Sequence, residues 1–429
     1  MRNVDAAGLG IGDDHPPRIM GVLNVSEESP YDPSVYDDPG EAAAYVDEEL
    51  IGEGADIVDV GLESANKDLD VLSAEQELER LDTAIETLES TSGDAVWSIE
   101  TRYHEVADEA LSRGFDMVND ICGFADPEMP RICREHDAAV SKMASPPDLE
   151  RPGAIEEVDD IYKALSMNGL TNKTILDPAF GGWSEAKTHE DDRETFHRLR
   201  EFRGYGRPLL VSINRKSFLK TIAGRDTEGA LPVSLAATSM AVERGAHVIR
   251  THDVAETRDA ALVGAEFARD RFRSGEASDA VAVEELDVTT AREAERHLDR
   301  IGAASARQGD RDVADAAVVR TYELSGLDDE AVGALRAATV GGGAGGATIS
   351  GDASGAAFAL GDPNRAEAAA TPSATDGGSE NGSVPDAPVD DRRGLLIGTS
   401  AGLDAVRESV SGVSESLDAA LDGIDRHVS

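Results

Sequence analysis

Basic residues are scarce in this sequence of 429 residues, as are cysteines, aromatic residues and long apolar runs. Lysine and arginine number 40 against 85 aspartates and glutamates, which gives a formal net charge of −45. This excess disfavours nucleic-acid binding, because phosphate contacts need a basic face. The acidic residues are spread along the whole chain, which favours adaptation to a salt-rich cytoplasm over a specific cationic partner.

The two cysteines, Cys122 and Cys133, are too few for a disulfide framework and form no metal-ligand cluster. The sequence contains no run of about eighteen apolar residues, so no membrane-spanning helix is expected. The segment Met1–Pro17 lacks the basic head and apolar stretch of a secretory signal. We therefore expect a cytoplasmic protein with no membrane partner and two reduced, partly buried thiols.

Short apolar runs alternate with amphipathic stretches from Arg18 to about Asp270. Eight strands are predicted, at Ile19–Val25, Ala55–Gly61, Ala95–Glu100, Met117–Ile121, Ala138–Met143, Thr174–Phe180, Pro208–Ile213 and His247–Thr251. Apolar residues at helical spacing lie between them, for example in Ala42–Glu53 and Leu231–Arg244. The alternation predicts an α/β fold, a closed (β/α)₈ TIM barrel. An open doubly wound sheet is the rival, but no phosphate-binding glycine fingerprint follows the first strand.

Three regions are expected: an N-terminal extension over 1–17, the barrel over 18–272, and a small α+β accessory domain over 280–429. The segment Val281–Ile301 begins with a strand-like stretch and continues as a predicted helix, Thr290–Ile301, which Thr289 or Thr290 caps with Glu293 behind it. The later predicted elements of the accessory domain are Val318–Leu324, Asp328–Ala338, Leu395–Gly398 and Leu403–Ile424, with a glycine-rich turn at Gly341–Gly346. An insertion at about 364–391, rich in Ala, Ser, Gly, Pro and Asp, predicts disorder.

Polar side chains stand at the carboxyl ends of the predicted strands, and in a parallel barrel these ends converge on one mouth. Singly, they have ordinary explanations: Asp120 and Asp253 suit helix caps, and Asp177 suits a turn. Their convergence favours a binding site instead. The set is Asn24, Glu63, Ser64, Glu100, Asn119, Asp120, Asp177, Asn214, Arg215, Lys216, Ser217, Arg250, His252 and Asp253.

The residue types point to two kinds of ligand group. Glu100, Asn119 and Asp177 suit a flat heterocycle with alternating donors and acceptors, since each buried polar edge must be paired. Lys216 and Arg250, with His252, suit an anionic group.

Two further residues complete this pattern. Asn24 suits a hydrated metal beside the anion, and Ser217 is placed to open a helix. The residues alone thus predict a heterocycle beside a phosphate-like anion.

The sequence resembles dihydropteroate synthases over roughly Arg18 to Asp270. The matching segments are Ile19–Val25, Gly54–Gly61, Ser98–Thr101, Val118–Ile121, Leu176–Pro178, Asn214–Phe218 and Arg250–Val254. The Arg-Lys-Ser and Arg-x-His-Asp-Val pieces are the most specific. The resemblance implies condensation of 6-hydroxymethyl-7,8-dihydropterin pyrophosphate with p-aminobenzoate or a related arylamine, releasing pyrophosphate and using Mg²⁺.

The resemblance also implies residue roles. Glu100, Asn119, Asp177 and Lys216 would hold the pterin, Asn24, Arg250 and His252 the pyrophosphate, with Asn24 meeting Mg²⁺, and Ser217 the arylamine carboxylate. Lys216, Arg250 and Asp177 are then the expected catalytic residues. The reaction needs stabilised charge rather than a protein nucleophile. A homodimer through the last barrel helices is also implied.

Departures from the family pattern keep two alternatives open. Glu63–Lys67 replaces the usual Glu-Ser-Thr-Arg-Pro-Gly loop, and Glu100 stands where aspartate is usual. These changes motivate a diverged, non-catalytic pterin-binding paralog. A pterin-dependent methyltransferase uses the same barrel, although the Arg-Lys-Ser and His-Asp-Val segments argue against it. The tail is similar to an accessory domain that precedes the barrel in some bacterial synthases, with a structural or oligomerisation role expected.

Overall fold

The computed structural model of the chain consists of two compact units, Met1–Asp287 and Val288–Ser429. It describes residues 3–26, 34–63, 71–146, 148, 153–181, 187–274, 283–303, 307–308, 311–324, 326–339, 356–360, 394–414, 417–418, 421–422 and 424. Within these residues, no helix is both long and apolar enough to cross a membrane.

The first unit is built on a parallel sheet that closes into a barrel. Its eight strands in the described residues are β3 (Arg18–Asn24), β4 (Ile57–Gly61), β5 (Val96–Thr101), β6 (Met117–Asp120), β7 (Ala139–Met143), β8 (Thr174–Asp177), β9 (Leu210–Val211) and β10 (Val248–Thr251). They run in the order β8-β7-β6-β5-β4-β3-β10-β9. A parallel bridge between Leu176 and Leu209 joins the two outermost strands, so the sheet closes. The TIM-barrel prediction is confirmed.

Helices follow the barrel strands. They are α1 (Pro39–Tyr45), α2 (Ala74–Ser90), α3 (His104–Ser112), α4 (Met129–Glu135), α5 (Val158–Ser166), α6 (His189–His197), α7 (Ser217–Ala223), α8 (Leu231–Glu243) and α9 (Val254–Glu266). Capping residues in the sequence mark where two of these helices begin. Asp38 accepts the Gly40 and Glu41 N–H groups ahead of α1, and Ser73 forms a reciprocal capping box with Gln76 at α2.

Two predicted elements differ from the structure. The segment expected as one helix, Ala42–Glu53, ends as a π-helix over Val46–Ile51. The strand expected over Thr174–Phe180 stops at Asp177, because Pro178 has no N–H to continue the ladder and Ala179 takes a left-handed φ of 62°.

An apolar ring closes the lower end of the barrel. Each barrel strand contributes one buried side chain to it: Met20, Ile57, Val96, Met117, Ala139, Ile175, Leu210 and Val248. A hairpin of β1 (Val4–Ala6) and β2 (Leu9–Ile11) packs Val4, Ala6 and Ile11 onto this ring. The segment that the sequence predicts only as an extension therefore plugs the barrel. Its two strands have three residues each, which is too short for a periodic pattern to reveal them.

A buried ion cluster fastens the segment after the hairpin. The Asp13 carboxylate accepts hydrogen bonds from Arg203 (3.0 Å) and from His247 Nε2 (3.0 Å), and lies 2.9 Å from Arg271 Nη2. His247 Nδ1 accepts the Leu209 N–H, which leaves the proton on Nε2 and makes the ring neutral. Burial acts to raise the pKa of Asp13, but these cationic and hydrogen-bonding partners outweigh it and hold the pKa well below its usual range.

The second unit contains an antiparallel sheet in the order β15-β17-β16. The short ladder of β11 (Arg273–Ser274) and β12 (Val283–Glu284) that precedes it in the chain still belongs to the first unit. The elements of the second unit in the described residues are α10 (Ala291–Arg300), β13 (Arg307–Gln308), β14 (Arg311–Asp312), α11 (Val313–Ala316), β15 (Arg320–Leu324), α12 (Asp329–Thr339), β16 (Ala356–Leu360), β17 (Gly394–Gly398) and α13 (Ser400–Val410). The sheet and helices share a core that includes Leu335, Leu396 and Val406.

Sequence predictions in this unit have mixed outcomes. The capping box between Thr290 and Glu293 is present at α10. The strand β16 was not predicted, and the helix expected over Leu403–Ile424 ends at Val410. The glycine-rich turn Gly341–Gly346 and the insertion at about 364–391 lie outside the described residues.

Truncating the plug should destabilise the first unit. Ile11 is fully buried on the apolar ring, so Ile11→Ala should lower the free energy of unfolding by about 2–5 kcal/mol. Denaturant titration in high salt measures the loss. Leu9→Ala, at a half-buried position of the same hairpin, is the matched control and should cost less. An equal or smaller loss for Ile11→Ala would contradict the plug.

Candidate active site at the carboxyl ends of the barrel strands

Polar residues follow the apolar ring on the same face of the strands. Side chains alternate along a strand, so a residue two positions beyond a ring residue also points into the barrel. Those positions hold Val22, Asp59, Ser98, Asn119, Ser141, Asp177, Ser212 and Arg250, all polar except Val22. Two positions further, at the mouth, stand Asn24, Gly61, Glu100 and His252. The strand period therefore stacks a polar layer directly on the apolar ring.

Asp59 joins four strands within this layer. Its carboxylate is fully buried and accepts hydrogen bonds from Ser98 Oγ at 2.7 Å, Asn119 Nδ2 at 3.0 Å and Arg250 Nε at 2.7 Å. These donors come from β5, β6 and β10. A buried carboxylate is tolerated only when it is paired in this way. The sequence prediction did not include Asp59.

Glu100 lies beside Asp59 and shares two of its partners. Its Oε2 accepts from Arg250 Nη2 at 2.6 Å and lies 3.5 Å from Asn119 Nδ2. Burial raises the pKa of Glu100 while the Arg250 charge lowers it and the Asp59 charge raises it. Among the described residues, no donor reaches its other oxygen, Oε1. This oxygen is therefore the one available to a ligand N–H.

Asp177 and Lys216 form the opposite part of the rim. Asp177 is buried and its Oδ1 accepts the Ala179 N–H at 2.8 Å. Burial raises the pKa of Asp177 to about 6, although Lys216 and Arg250 act to lower it. Burial also lowers the pKa of Lys216, as does the Arg250 charge, while Asp177 raises it.

Gly181 makes room for the lysine chain. A Cβ on Gly181 would lie 2.9 Å from Lys216 Cδ, and the glycine φ is 87°, so a side chain is excluded twice over. Gly181 N–H donates to Asp192, which also pairs with the buried Lys187 at 3.4 Å. The loop after β8 is thus held in a conformation that admits Lys216.

Asn24 and His252 are linked through Ser34. Asn24 Nδ2 donates to Ser34 Oγ at 3.0 Å, and the same hydroxyl lies 3.2 Å from His252 Nδ1. Burial and the Arg250 charge lower the pKa of His252 to about 3. The imidazole is therefore neutral near pH 7 and offers hydrogen bonds rather than positive charge. The sequence analysis missed Ser34, which lies in none of the predicted strands or helices.

Asp253 has a different role from the expected helix cap. It stands at the start of α9 but makes no capping hydrogen bond. Its carboxylate instead accepts from Arg215 at 2.7 and 2.8 Å and from Asn214 Nδ2 at 2.8 Å. These bonds fix the turn that carries Lys216, and Arg215 there has a φ of 51°. Asp120 likewise caps no helix and accepts the Cys122 and Phe124 N–H groups of a turn.

Arg102 ties together the residues on either side of segment 64–70. This buried arginine donates to Glu63 Oε2 at 2.6 Å and to the Leu72 carbonyl at 3.0 Å. Tyr103 donates to the same carbonyl at 2.7 Å. Ser64 and the rest of the unusual loop lie outside the described residues.

Comparisons with known proteins cover the barrel that carries these residues. A sequence model of the family described as "Pterin binding enzyme" matches residues 20–252, which run from β3 to the end of β10. The chain belongs to the pterin-binding, dihydropteroate synthase family.

Individual relatives cover the barrel unit. Dihydropteroate synthase of Bacillus subtilis is 30% identical over 242 residues, 55% of this chain and 83% of that protein. A probable bifunctional folylpolyglutamate synthase/dihydropteroate synthase of Halobacterium salinarum is 33% identical over 250 residues, 56% of this chain and 30% of that protein. A Coxiella burnetii dihydropteroate synthase solved with pteroic acid has a TM-score of 0.53 at 28% identity, covering 62% of this chain and 98% of the other.

The structure of this dihydropteroate synthase family member brings some of the sequence-predicted residues into contact and leaves others apart. Glu100, Asn119 and Arg250 are in direct contact, and Asp177 and Lys216 act on them electrostatically across the mouth. Asn24 and His252 form a second group around Ser34. Ser217 is exposed as the first residue of α7.

Asp177 should make the fold less stable as the pH rises. Its folded pKa of about 6 exceeds the unfolded value of 3.8, so the unfolded chain gains its charge more readily. Stability is therefore lost between the two pKa values, and Asp177→Asn should restore roughly 3 kcal/mol at pH 8 and about half of that at pH 5. Denaturant unfolding at both pH values measures this. Glu86→Gln, on the exposed face of α2, should change neither, and an equal gain at both pH values would contradict the assignment.

Proposed function

We propose that the chain condenses 6-hydroxymethyl-7,8-dihydropterin pyrophosphate with p-aminobenzoate or a related arylamine, releasing pyrophosphate, in folate biosynthesis. The observation that carries this proposal is the single rim on which acceptors for a flat heterocycle adjoin cations for an anion. Its support also includes the names of the relatives and the pteroic acid in the Coxiella structure.

The acceptor side suits the pterin. Glu100 Oε1 and Asp177 Oδ2 have no donor among the described side chains, and both carboxyls stand in the buried mouth. The Asn119 amide lies between them in chain order, on β6. Such groups pair with the N–H edge of a pterin, which would otherwise be desolvated without partners.

The cationic side suits the pyrophosphate. Arg250 carries a guanidinium held by two carboxylates, and Lys216 carries an ammonium with no hydrogen-bond partner among the described residues. As the C–O bond to pyrophosphate breaks, negative charge grows on the leaving group, and fixed cations in a dry site stabilise it. His252 contributes a neutral hydrogen bond there. Ser217, exposed on α7, is the proposed contact for the arylamine carboxylate.

The donor set also suits Mg²⁺. Asn24 turns its amide nitrogen to Ser34, which leaves Oδ1 as an oxygen ligand without a donor among the described residues. Mg²⁺ in phosphate sites commonly takes few protein oxygens and completes its shell with phosphate and water. When bound, the ion would neutralise pyrophosphate charge, and Asn24 would hold it.

Turnover is tested by supplying both substrates with Mg²⁺ in high salt and following pyrophosphate and dihydropteroate. Lys216→Ala should lower kcat/KM by about 100- to 1,000-fold, because a cation aimed at the leaving group is lost. Lys220→Ala, one turn further along α7, is the matched control, since that ammonium donates to Thr227 instead. Release of pyrophosphate by Lys216→Ala at the wild-type rate would contradict the proposed site.

Other outcomes separate the alternatives. Pterin binding without turnover in the wild-type chain would favour the non-catalytic paralog. Methyl transfer from a methyl-tetrahydropterin would favour the methyltransferase. The second substrate is tested by replacing p-aminobenzoate with related arylamines in the same assay.

We also propose a homodimer through α8 and α9. Met240 on α8, Val263 on α9 and Phe267 directly after α9 are apolar side chains that are 46%, 52% and 79% exposed. Exposed apolar patches mark interaction surfaces. The family resemblance supplies the expectation that a second copy covers them.

Charge placed on this face should dissociate the dimer. Val263→Glu combined with Phe267→Glu puts two like charges into an apolar interface, so sedimentation should show a monomer where the wild-type chain is dimeric. Ile222→Glu, at a residue on α7 that is 63% exposed, is the control and should leave the dimer intact. A monomeric wild-type chain would overturn the proposal.

A further inference from the structure

Asp59 is a buried charged side chain of the barrel to which the proposed reaction gives no task. It is fully buried, so it lies behind the mouth rather than in it. It nevertheless contacts two residues of the proposed site, Asn119 and Arg250, with a third donor, Ser98, holding its other oxygen.

The first consequence concerns the amide of Asn119. Its Nδ2 donates to Asp59 and faces Glu100, so both amide hydrogens are directed at carboxylates. Its Oδ1 must then point away from both, and no described donor reaches it. The Asp59 charge thereby makes Asn119 an acceptor, not a donor, towards a ligand.

The second consequence concerns the guanidinium of Arg250. Asp59 takes Nε at 2.7 Å and Glu100 takes Nη2 at 2.6 Å. A guanidinium is planar, so two bonds along one edge fix the whole group. The Nη1 end is left for an anion.

We infer that Asp59 is a positioning residue that sets the donor and acceptor pattern of the site by orienting Asn119 and Arg250 from behind. The inference rests on the proposed function, because it assigns the pterin to Asn119 and the pyrophosphate to Arg250. One buried carboxylate then serves both halves of the substrate.

Asp59→Asn tests the inference in the full chain. The substituted amide keeps the size of the side chain but presents N–H groups or a weaker acceptor to Asn119 and Arg250. Calorimetry with 6-hydroxymethylpterin and, separately, with inorganic pyrophosphate and Mg²⁺ should show both dissociation constants raised by about 10- to 100-fold. Changes below about twofold in a folded variant would overturn the inference.

Asp56→Asn is the matched control. Asp56 lies three residues earlier, pairs with Arg18 at 3.2 Å and accepts the Ile19 N–H at the opposite end of the barrel. This variant should lose stability but bind both probes as the wild-type chain does. Equal loss of binding in both variants would mean that Asp59 acts only through the fold.

A pH profile separates positioning from general stability. Pterin binding depends on the charge of Glu100, so it weakens as the pH falls through the pKa of that carboxyl. The Asp59 charge contributes to raising this pKa. In Asp59→Asn the same weakening should occur at lower pH. An unshifted profile would count against the inference.

Ser98→Ala keeps the inference testable if Asp59→Asn does not fold. It removes the 2.7 Å bond to Asp59 Oδ1 without changing any charge. Pterin binding should weaken by about 3- to 10-fold, since the carboxylate can then rotate. Unchanged binding would overturn the inference.

The two proposals fail in different ways. Pterin and pyrophosphate binding without condensation in the wild-type chain removes the proposed reaction and still allows the Asp59 test. Failure of the wild-type chain to bind either probe removes both proposals.

Discussion

The carboxylates of Asp59 and Glu100, at and behind the barrel mouth, must be paired where they are buried, and the arrangement of the site follows from that constraint. Arg250 is the centre of the pairing, because its guanidinium meets Asp59 along one part of its edge and Glu100 along another. Asp59 is fully buried and the Glu100 side chain is only 14% exposed, so losing the arginine would leave two poorly solvated like charges side by side. These pairings hold the side chains in fixed orientations, which lowers the cost of orienting them towards a ligand.

The barrel separates stability from chemistry along its axis. Below, the hairpin plug and the apolar ring exclude water, and the Asp13 cluster fastens the chain that follows the plug. Above, the same strands turn polar within two residues. Parallel barrels commonly divide in this way, since loops at the carboxyl ends can vary while the lower end keeps the sheet closed.

Two features distinguish this chain within its family pattern. Glu100, one methylene longer than the usual aspartate, reaches Arg250 directly. Arg102 pairs with Glu63 beside the segment whose usual arginine is missing. Both changes place carboxylate–guanidinium contacts around the mouth. The chain thus uses its few basic residues to pair acidic ones there, in a sequence with a large acidic excess.

The sequence by itself determined the barrel, because short apolar runs and apolar residues at helical spacing are local patterns that can be read without knowing the tertiary contacts. It also predicted Glu100, Asn119, Asp177, Lys216 and Arg250 as site residues, because strand ends converge by topology. Only the tertiary structure revealed Asp59, Ser34 and the hairpin plug. A buried aspartate in an apolar strand reads like any other polar interruption until the strands around it supply its donors. The neutral state of His252 and the bond from Asp253 to Arg215 were equally invisible, since a pKa and an ion pair depend on groups that are distant in sequence and adjacent only after folding.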